Sequence, residues 1–404
     1  MEVTAASKGT PGACAACGDM PVMHSTTYAL QTIEVWLSDK TQRLGSGLFA
    51  LLTRLLEPLA DAIADGLPRV AYAVGIFRVS NDPERACSYR SQVIWEDAQH
   101  RGIEMQQIKS FGYLTEMYRA RINGRWIYFQ SLPIPRHLSR HTYQGIDDKL
   151  LLKRFLRERG IPVTDAALAK NLIQAHAIFE RMHKPVVVKP RIGSRARHTT
   201  TNIHTTAEID AAFKSAQVLC RDVLLEEHLE GPVSRATVVA GRLIGFLQMF
   251  PARVIGDGIH TIQELVDMKN RTRPERVQAI TLDQEHRSYL ARSGYAPHSI
   301  PARDMEVVLS RRTGRFEGGR TKEMPQSIHP KLRAYVERAA NELQVPVVGF
   351  DIIIADPESD PDMQRWGMLE ANSLPYIDLH YAPLEGEATN VAAAVWDLWN
   401  VPAK

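Results

Sequence analysis

The spacing of apolar positions changes several times along the chain, and each change predicts an element. "RVAYAVGIF", from Arg69, is a nearly unbroken apolar run that reads as a buried strand. "YRARINGRWIYFQS" sets two β-rich runs on either side of Asn123-Gly124, a pair that closes a tight hairpin because both residues tolerate positive φ. "DDKLLLKRFLRERGIP" predicts a helix, with Asp147 or Asp148 as cap, Gly160 at the end and Pro162 preventing continuation. "TTAEIDAAFKSAQ" opens with Thr205 and Glu208 at capping-box spacing. "KPVVVKP", "DVLLEEHLEG", "RATVVAGRLIGFLQMF" and "VVGFDIIIAD" read as strands; "HPKLRAYVERAANEL" and "TNVAAAVWDLW" read as helices. "GSGLFALLTRLLEPLADAIADGL" predicts an amphipathic helix, since Arg54, Glu57, Asp61 and Asp65 rule out a membrane span. Strands and helices mix without a βαβ rhythm, which predicts α+β lobes and not a doubly wound sheet.

At 404 residues the chain exceeds one ordinary domain. Residues 1–24, rich in Ala, Ser, Thr and Gly, read as a disordered tail. Residues 25–140 read as a small N-terminal α/β domain, and 141–404 as the main domain, with lobes of about 141–230 and 231–404. A formal net charge of only +3 argues against a nucleic-acid partner and leaves local basic clusters free for a small polyanion. "MEVTAASKGTPG" has neither the basic nor the apolar region of a secretory signal, which predicts a cytoplasmic chain.

The four cysteines fit a reduced compartment. Cys14 and Cys17 form "CAAC", but a structural zinc needs four ligands and no second pair stands at a suitable spacing, so the pair reads as incidental. His198 and His204 flank a threonine run with no Cys, Asp or Glu at metal spacing, and read as loop residues. There is no GxxxxGK[ST]. "GSGLFA" matches a dinucleotide fingerprint at Gly45, Gly47 and Ala50, but it follows "LSDKTQR", which is no strand, so the match is chance.

"GMLEANSLPYIDLH" puts Glu370 and Asn372 two apart, on one face of a strand. If the "GFDIIIAD" strand pairs with it, Asp351 joins them. Two carboxylates and an amide oxygen suit Mg²⁺. The other reading is a solvated strand face, which the apolar flanks "VVGF", "III" and "GML" weaken, because buried carboxylates need a partner or a metal. Lys149 follows the Asp pair, and Lys189 ends a buried strand; each is placed to meet a phosphate or is a snorkelling surface lysine. "RIGSRARHTTT", with Gly193 and Arg197, can wrap a phosphate chain.

These segments resemble the ATP-grasp superfamily, most of all the ATP-grasp domain of cyanophycin synthetases. The resemblance covers roughly residues 140–400 and rests on "DDKLLLKRFLRERGIPV", "PVVVKPRIGS" with "TTTNI", "PARVIGDGIHTIQEL", "GFDIII", and "LEANSLP" followed by "LHYAPLEGEATNV". It implies an α+β, ATP-grasp fold, with two lobes holding ATP between them behind the smaller N-terminal domain. Carried over, Lys149 and Lys189 contact phosphates with Gly193 and Arg197; Glu226, Glu227 and Leu229 line the adenine edge. Asp351, Glu370 and Asn372 hold two Mg²⁺, with Mn²⁺ as a substitute, and Arg235 and Arg253 face the transferred phosphoryl group. The implied activity is an ATP-dependent carboxylate–amine (acid–amino-acid) ligase acting on small-molecule or peptide substrates. A non-catalytic ATP-binding protein and a phosphotransferase are the alternatives.

Some residues depart from the family pattern. Ala196 and His198 stand where glycine is common, and Val233 stands where an acidic residue is expected. "RRTGRFEGGRTKEM" keeps Gly318-Gly319 of a substrate loop. Asp378 and His380 are candidate substrate residues. Asp378 takes a place where a basic side chain is common; it favours a cationic substrate, or it faces solvent, or it caps the following turn. The Mur-ligase-like domain that follows in cyanophycin synthetases is not in these residues, which predicts that the chain does not run that enzyme's full two-step cycle. No membrane partner is expected, and the sequence leaves a monomer and a homo-oligomer both open.

Overall fold

The computed structural model describes residues 22–43, 70–193, 196–275 and 277–400, together with Cys14, Cys17 and Gly66. The amphipathic stretch after Gly45, apart from Gly66, and the Gly45–Gly47–Ala50 match lie outside the described residues. The strands in chain order are β1 (Phe77–Ser80), β2 (Met105–Ser110), β3 (Tyr113–Ile122), β4 (Arg125–Gln130), β5 (Ala166–Ala169), β6 (Val186–Pro190), β7 (Thr200–Ile203), β8 (Val223–Glu227), β9 (Val233–Val239), β10 (Arg242–Met249), β11 (Pro251–Ile255), β12 (Glu306–Thr313), β13 (Thr321–Glu323), β14 (Val347–Ile353) and β15 (Gly367–Asn372). The chain forms two compact units, Met1–Ala64 with Gln144–Leu229, and Asp65–Tyr143 with Glu230–Lys404.

In the first unit, an antiparallel sheet of order β5-β8-β6-β7 carries the helices Leu172–Arg181 and Thr206–Gln217. Ile178, Phe179, Val186, Ile209, Phe213 and Leu225 interlock in its core. The helix Lys149–Arg157 starts where the sequence predicts, because the Asp148 carboxylate accepts the otherwise unpaired N–H groups of Leu150 and Leu151. Thr205 and Glu208 form the expected capping box. "LSDKTQR" is the end of the helix His24–Arg43, which confirms that the dinucleotide match lacks its strand. Val35 of that helix is buried against Ile192 and Cys220.

The second unit holds a sheet of order β1-β2-β3-β4, a sheet of order β13-β10-β9-β14-β15, and the β11-β12 pair. Each strand pairing is antiparallel, as an α+β chain requires. Asn123 (φ 49°) and Gly124 (φ 76°) make the predicted β3–β4 turn. Trp95, Tyr118, Phe129 and Trp396 join the first sheet, the helix Tyr89–His100 and the helix Val391–Asp397 in one core with Val239 and Val347.

"RVAYAVGIF" is not the expected strand. Val70–Ala73 are helical, and β1 begins only at Phe77. The turn ends at Gly75, whose φ of +76° only glycine adopts freely. Val70 and Val74 are exposed, so the apolar run did not signal burial. No described helix is long and apolar enough to cross a membrane.

Candidate active site

The β14–β15 register places Asp351 directly opposite Glu370 and Gly349 opposite Asn372, beside an irregularity between Asp351 and Ile352. On the other side of β14, Asp351 faces Arg235 of β9. The Arg235 Nε lies 2.7 Å from Asp351 Oδ1 and its Nη2 3.2 Å from Oδ2. Burial and the hydrogen-bonded Glu370 carboxylate push Asp351 up to about 6, although Arg235 draws it down. Asn372 donates its amide nitrogen to the Gly349 carbonyl at 3.4 Å.

A second buried feature adds to this set. Arg235 Nη1 is buried with no hydrogen-bond partner among the described residues. Two carboxylates pressed together raise each other's proton affinity, and a divalent cation with oxygen preference relieves that repulsion. The donor set thus fits Mg²⁺, and the three predicted ligands converge.

Arg253 does not join them. It lies on β11, in the separate two-stranded sheet, with its guanidinium on Glu306. Asp378 is buried and does not face solvent, and its Oδ2 is 3.3 Å from Arg315 Nη2. Its Oδ1 has no hydrogen-bond partner among the described residues, and burial raises its pKa against the pull of Arg315. His380 is fully buried, with Nδ1 2.7 Å from Glu323 Oε2 and Nε2 2.7 Å from Thr237 Oγ1. Both ring nitrogens are engaged, which leaves none for a substrate.

The expected phosphate ligands lie in the first unit. Lys149 donates to the Gly193 carbonyl. Lys189 Nζ is 2.6 Å from Glu226 Oε2, and Lys153 Nζ is 3.0 Å from Glu226 Oε1. Thr164 also donates to Glu226. Burial alone would raise this carboxyl, but the two ammonium groups outweigh it and hold it at about 2. Hence the Glu226 side chain serves the lysines and not an adenine edge. Glu227 accepts from the Asp165 N–H at 2.8 Å, and Leu229 is buried. Sequence reasoning missed Lys153. Its signal was a lysine four positions after Lys149 on the face that buries Leu152 and Leu156.

Gly193 has φ 135°, and Ala196 and His198, at φ 50° and 53°, keep left-handed backbone without glycine. Arg197 is half-buried in the same turn. Two expectations are corrected here. Cys14 and Cys17 are not an isolated pair, and His198 is not a bystander. With His24, their ligand atoms all lie within 4.8 Å of one another. Spacing rules failed because the chain brings the fourth residue from far along the sequence.

No protein-family model matches the chain. The cyanophycin synthetase of Trichormus variabilis is 30% identical over 260 residues, which are 62% of this chain and 29% of that protein. That of a Synechocystis species is 31% identical over 262 residues, 62% of this chain and 30% of its own length. The glutathione biosynthesis bifunctional protein of Mannheimia succiniciproducens is 26% identical over 318 residues, 76% of this chain and 42% of that one. Among solved structures, a bifunctional glutathione synthetase from Pasteurella multocida matches with a TM-score of 0.53 at 22% identity, over 77% of this chain and 43% of that chain.

This chain has the ATP-grasp fold. Its matched part is similar to cyanophycin synthetase, and it spans less than a third of the length of those synthetases.

Proposed function

We propose that this chain is an ATP- and Mg²⁺-dependent carboxylate–amine ligase that forms an amide or peptide bond through an acyl phosphate. The observation that carries this reading is the Asp351–Glu370 pair with Asn372 two residues on and Arg235 on the neighbouring strand. Asp351, Glu370 and Asn372 would hold two Mg²⁺ or Mn²⁺ ions, and bound metal neutralises phosphate charge. Lys149 and Lys189 would take phosphate oxygens. Arg235, already charged and buried, would face the transferred phosphoryl group. Adenine recognition would fall to the backbone at Glu227 and Leu229, since the Glu226 side chain is engaged.

A substrate carboxylate oxygen attacks the γ-phosphorus and ADP leaves. An amine then attacks the acyl carbon, phosphate leaves, and the nitrogen loses a proton. The buried Oδ1 of Asp378, without a hydrogen-bond partner among the described residues, supports a cationic group on the substrate side. The change of compact unit after Leu229 supports a lobe boundary near residue 230. The free thiols of Cys87 and Cys220 suit the cytoplasm.

The test is ADP release from the full chain with Mg²⁺ over paired amino acids and short peptides. The ligase sustains ADP release over many turnovers only with both carboxylate and amine, because the carboxylate alone stops at the acyl phosphate. Sustained release with the carboxylate alone identifies a phosphotransferase. ATP binding without release in any pair identifies a non-catalytic binder, the reading that Val233, Ala196 and His198 favour.

A further inference from the structure

We propose that Cys14, Cys17, His24 and His198 bind one Zn²⁺ as a closed structural site. Cys17 Sγ is 3.3 Å from His24 Nε2, and the sulfurs of Cys14 and Cys17 are each 3.5 Å from His198 Nε2. A tetrahedral zinc with ordinary Zn–S and Zn–N bonds sets sulfur and nitrogen about 3.6 Å apart. The observed separations are therefore those of ligands already gathered around a centre.

The imidazoles are aimed for the role. His198 Nδ1 lies 2.8 Å from the Ser215 carbonyl oxygen, so Nδ1 carries the proton and Nε2 turns its lone pair toward the cysteines. The His24 and His198 rings are nearly perpendicular, at 84°, with centroids 5.2 Å apart, so they approach from different sides. Cys17 and His198 are buried; Cys14 and His24 are half-buried.

The sequence carries three ligands as C-x₂-C-x₆-H and takes the fourth from the turn after Gly193. On binding, both thiols release their protons, and two thiolates cancel the ion's charge. Four protein ligands leave no open position, which makes the site structural and not catalytic. It also accounts for His198 at φ 53°, a conformation that costs a non-glycine residue about 1 kcal/mol and that a ligand bond would hold. The ion would fasten the start of the helix His24–Arg43 to the loop that carries Gly193 and Arg197.

The experiment needs no ATP chemistry, so it is independent of the ligase reading. The full chain is purified under reducing conditions from zinc-supplemented cells, without chelator, and its metal is measured by mass spectrometry. One zinc per chain is expected. Replacement by Co²⁺ should give thiolate-to-metal charge-transfer absorption and the ligand-field bands of a tetrahedral ion. Cys17→Ser and His198→Asn, the latter because Asn tolerates left-handed backbone, should each lose that spectrum and most of the zinc. Chelation should lower the melting temperature of the parent but not of Cys17→Ser. Reduced protein that holds no zinc and takes up neither Zn²⁺ nor Co²⁺ overturns the site. So does zinc content unchanged in both variants.

Discussion

Lys189 and Glu226 form an ion pair inside the first unit, with Nζ 2.6 Å from Oε2 and both side chains buried. Lys153 reaches the other carboxylate oxygen. Two ammonium groups thus share one carboxylate, and each buried charge has an opposite charge beside it, as burial of ions requires.

The cluster makes stability depend on acid. Glu226 is depressed from its usual 4.5 to about 2 in the folded chain. A depressed carboxyl stabilises the fold fully above its unfolded pKa and loses that contribution as pH falls through the folded one. The window therefore runs from about 4.5 down to about 2, and the contribution is about 3 kcal/mol. Glu226→Gln should lower the plateau stability at neutral pH and flatten the acid limb of melting temperature against pH. An acid limb identical to the parent's would mean that Glu226 does not govern it.

Lys189→Ala should weaken ATP binding more than Lys189→Arg, because Arg restores a charge, though on a planar fork. Titration calorimetry with ATP separates the two. If both variants bind ATP as the parent does, Lys189 serves only the buried pair.

Glu370→Gln should bind ATP and lose turnover by about 10²-fold or more, since it removes one charge from the metal set and keeps its shape. The readouts are ATP affinity and ADP release with Mg²⁺. Near-normal turnover would remove Glu370 from the site.

Gly245→Ala tests the packing around His380. A Cβ at Gly245 would lie 2.5 Å from His380 Nδ1, and the ring is held by Glu323 and Thr237. The expected loss is about 1–3 kcal/mol of stability, seen as a lower melting temperature or denaturation midpoint. An unchanged midpoint would show that the ring yields easily.

Elements with local signatures were legible in the sequence. Asp148, the Thr205–Glu208 box and Asn123-Gly124 each dictate structure within a few residues. The Asp351, Glu370 and Asn372 set was legible because strand pairing maps i and i+2 onto one face. Pairings across distant segments were hidden. Nothing near Glu226 announces Lys153, nothing near Cys17 announces His198, and nothing near Asp378 announces Arg315. The apolar run before Phe77 misled because periodicity does not separate a short helix from a strand.

Arg191 is fully buried and meets three carboxylates: Asp39 at 2.9 Å, Asp148 at 2.8 Å and Asp222 at 3.2 Å. Asp39 belongs to the helix His24–Arg43, Asp148 caps another helix, and Asp222 precedes β8. One guanidinium therefore ties stretches that other residues separate along the chain. Recombination that copied only residues 144–229 into a new gene would carry the arginine and leave Asp39 behind. A graft of the first unit would need both pieces, the one with Asp39 and the one with Arg191, to arrive together.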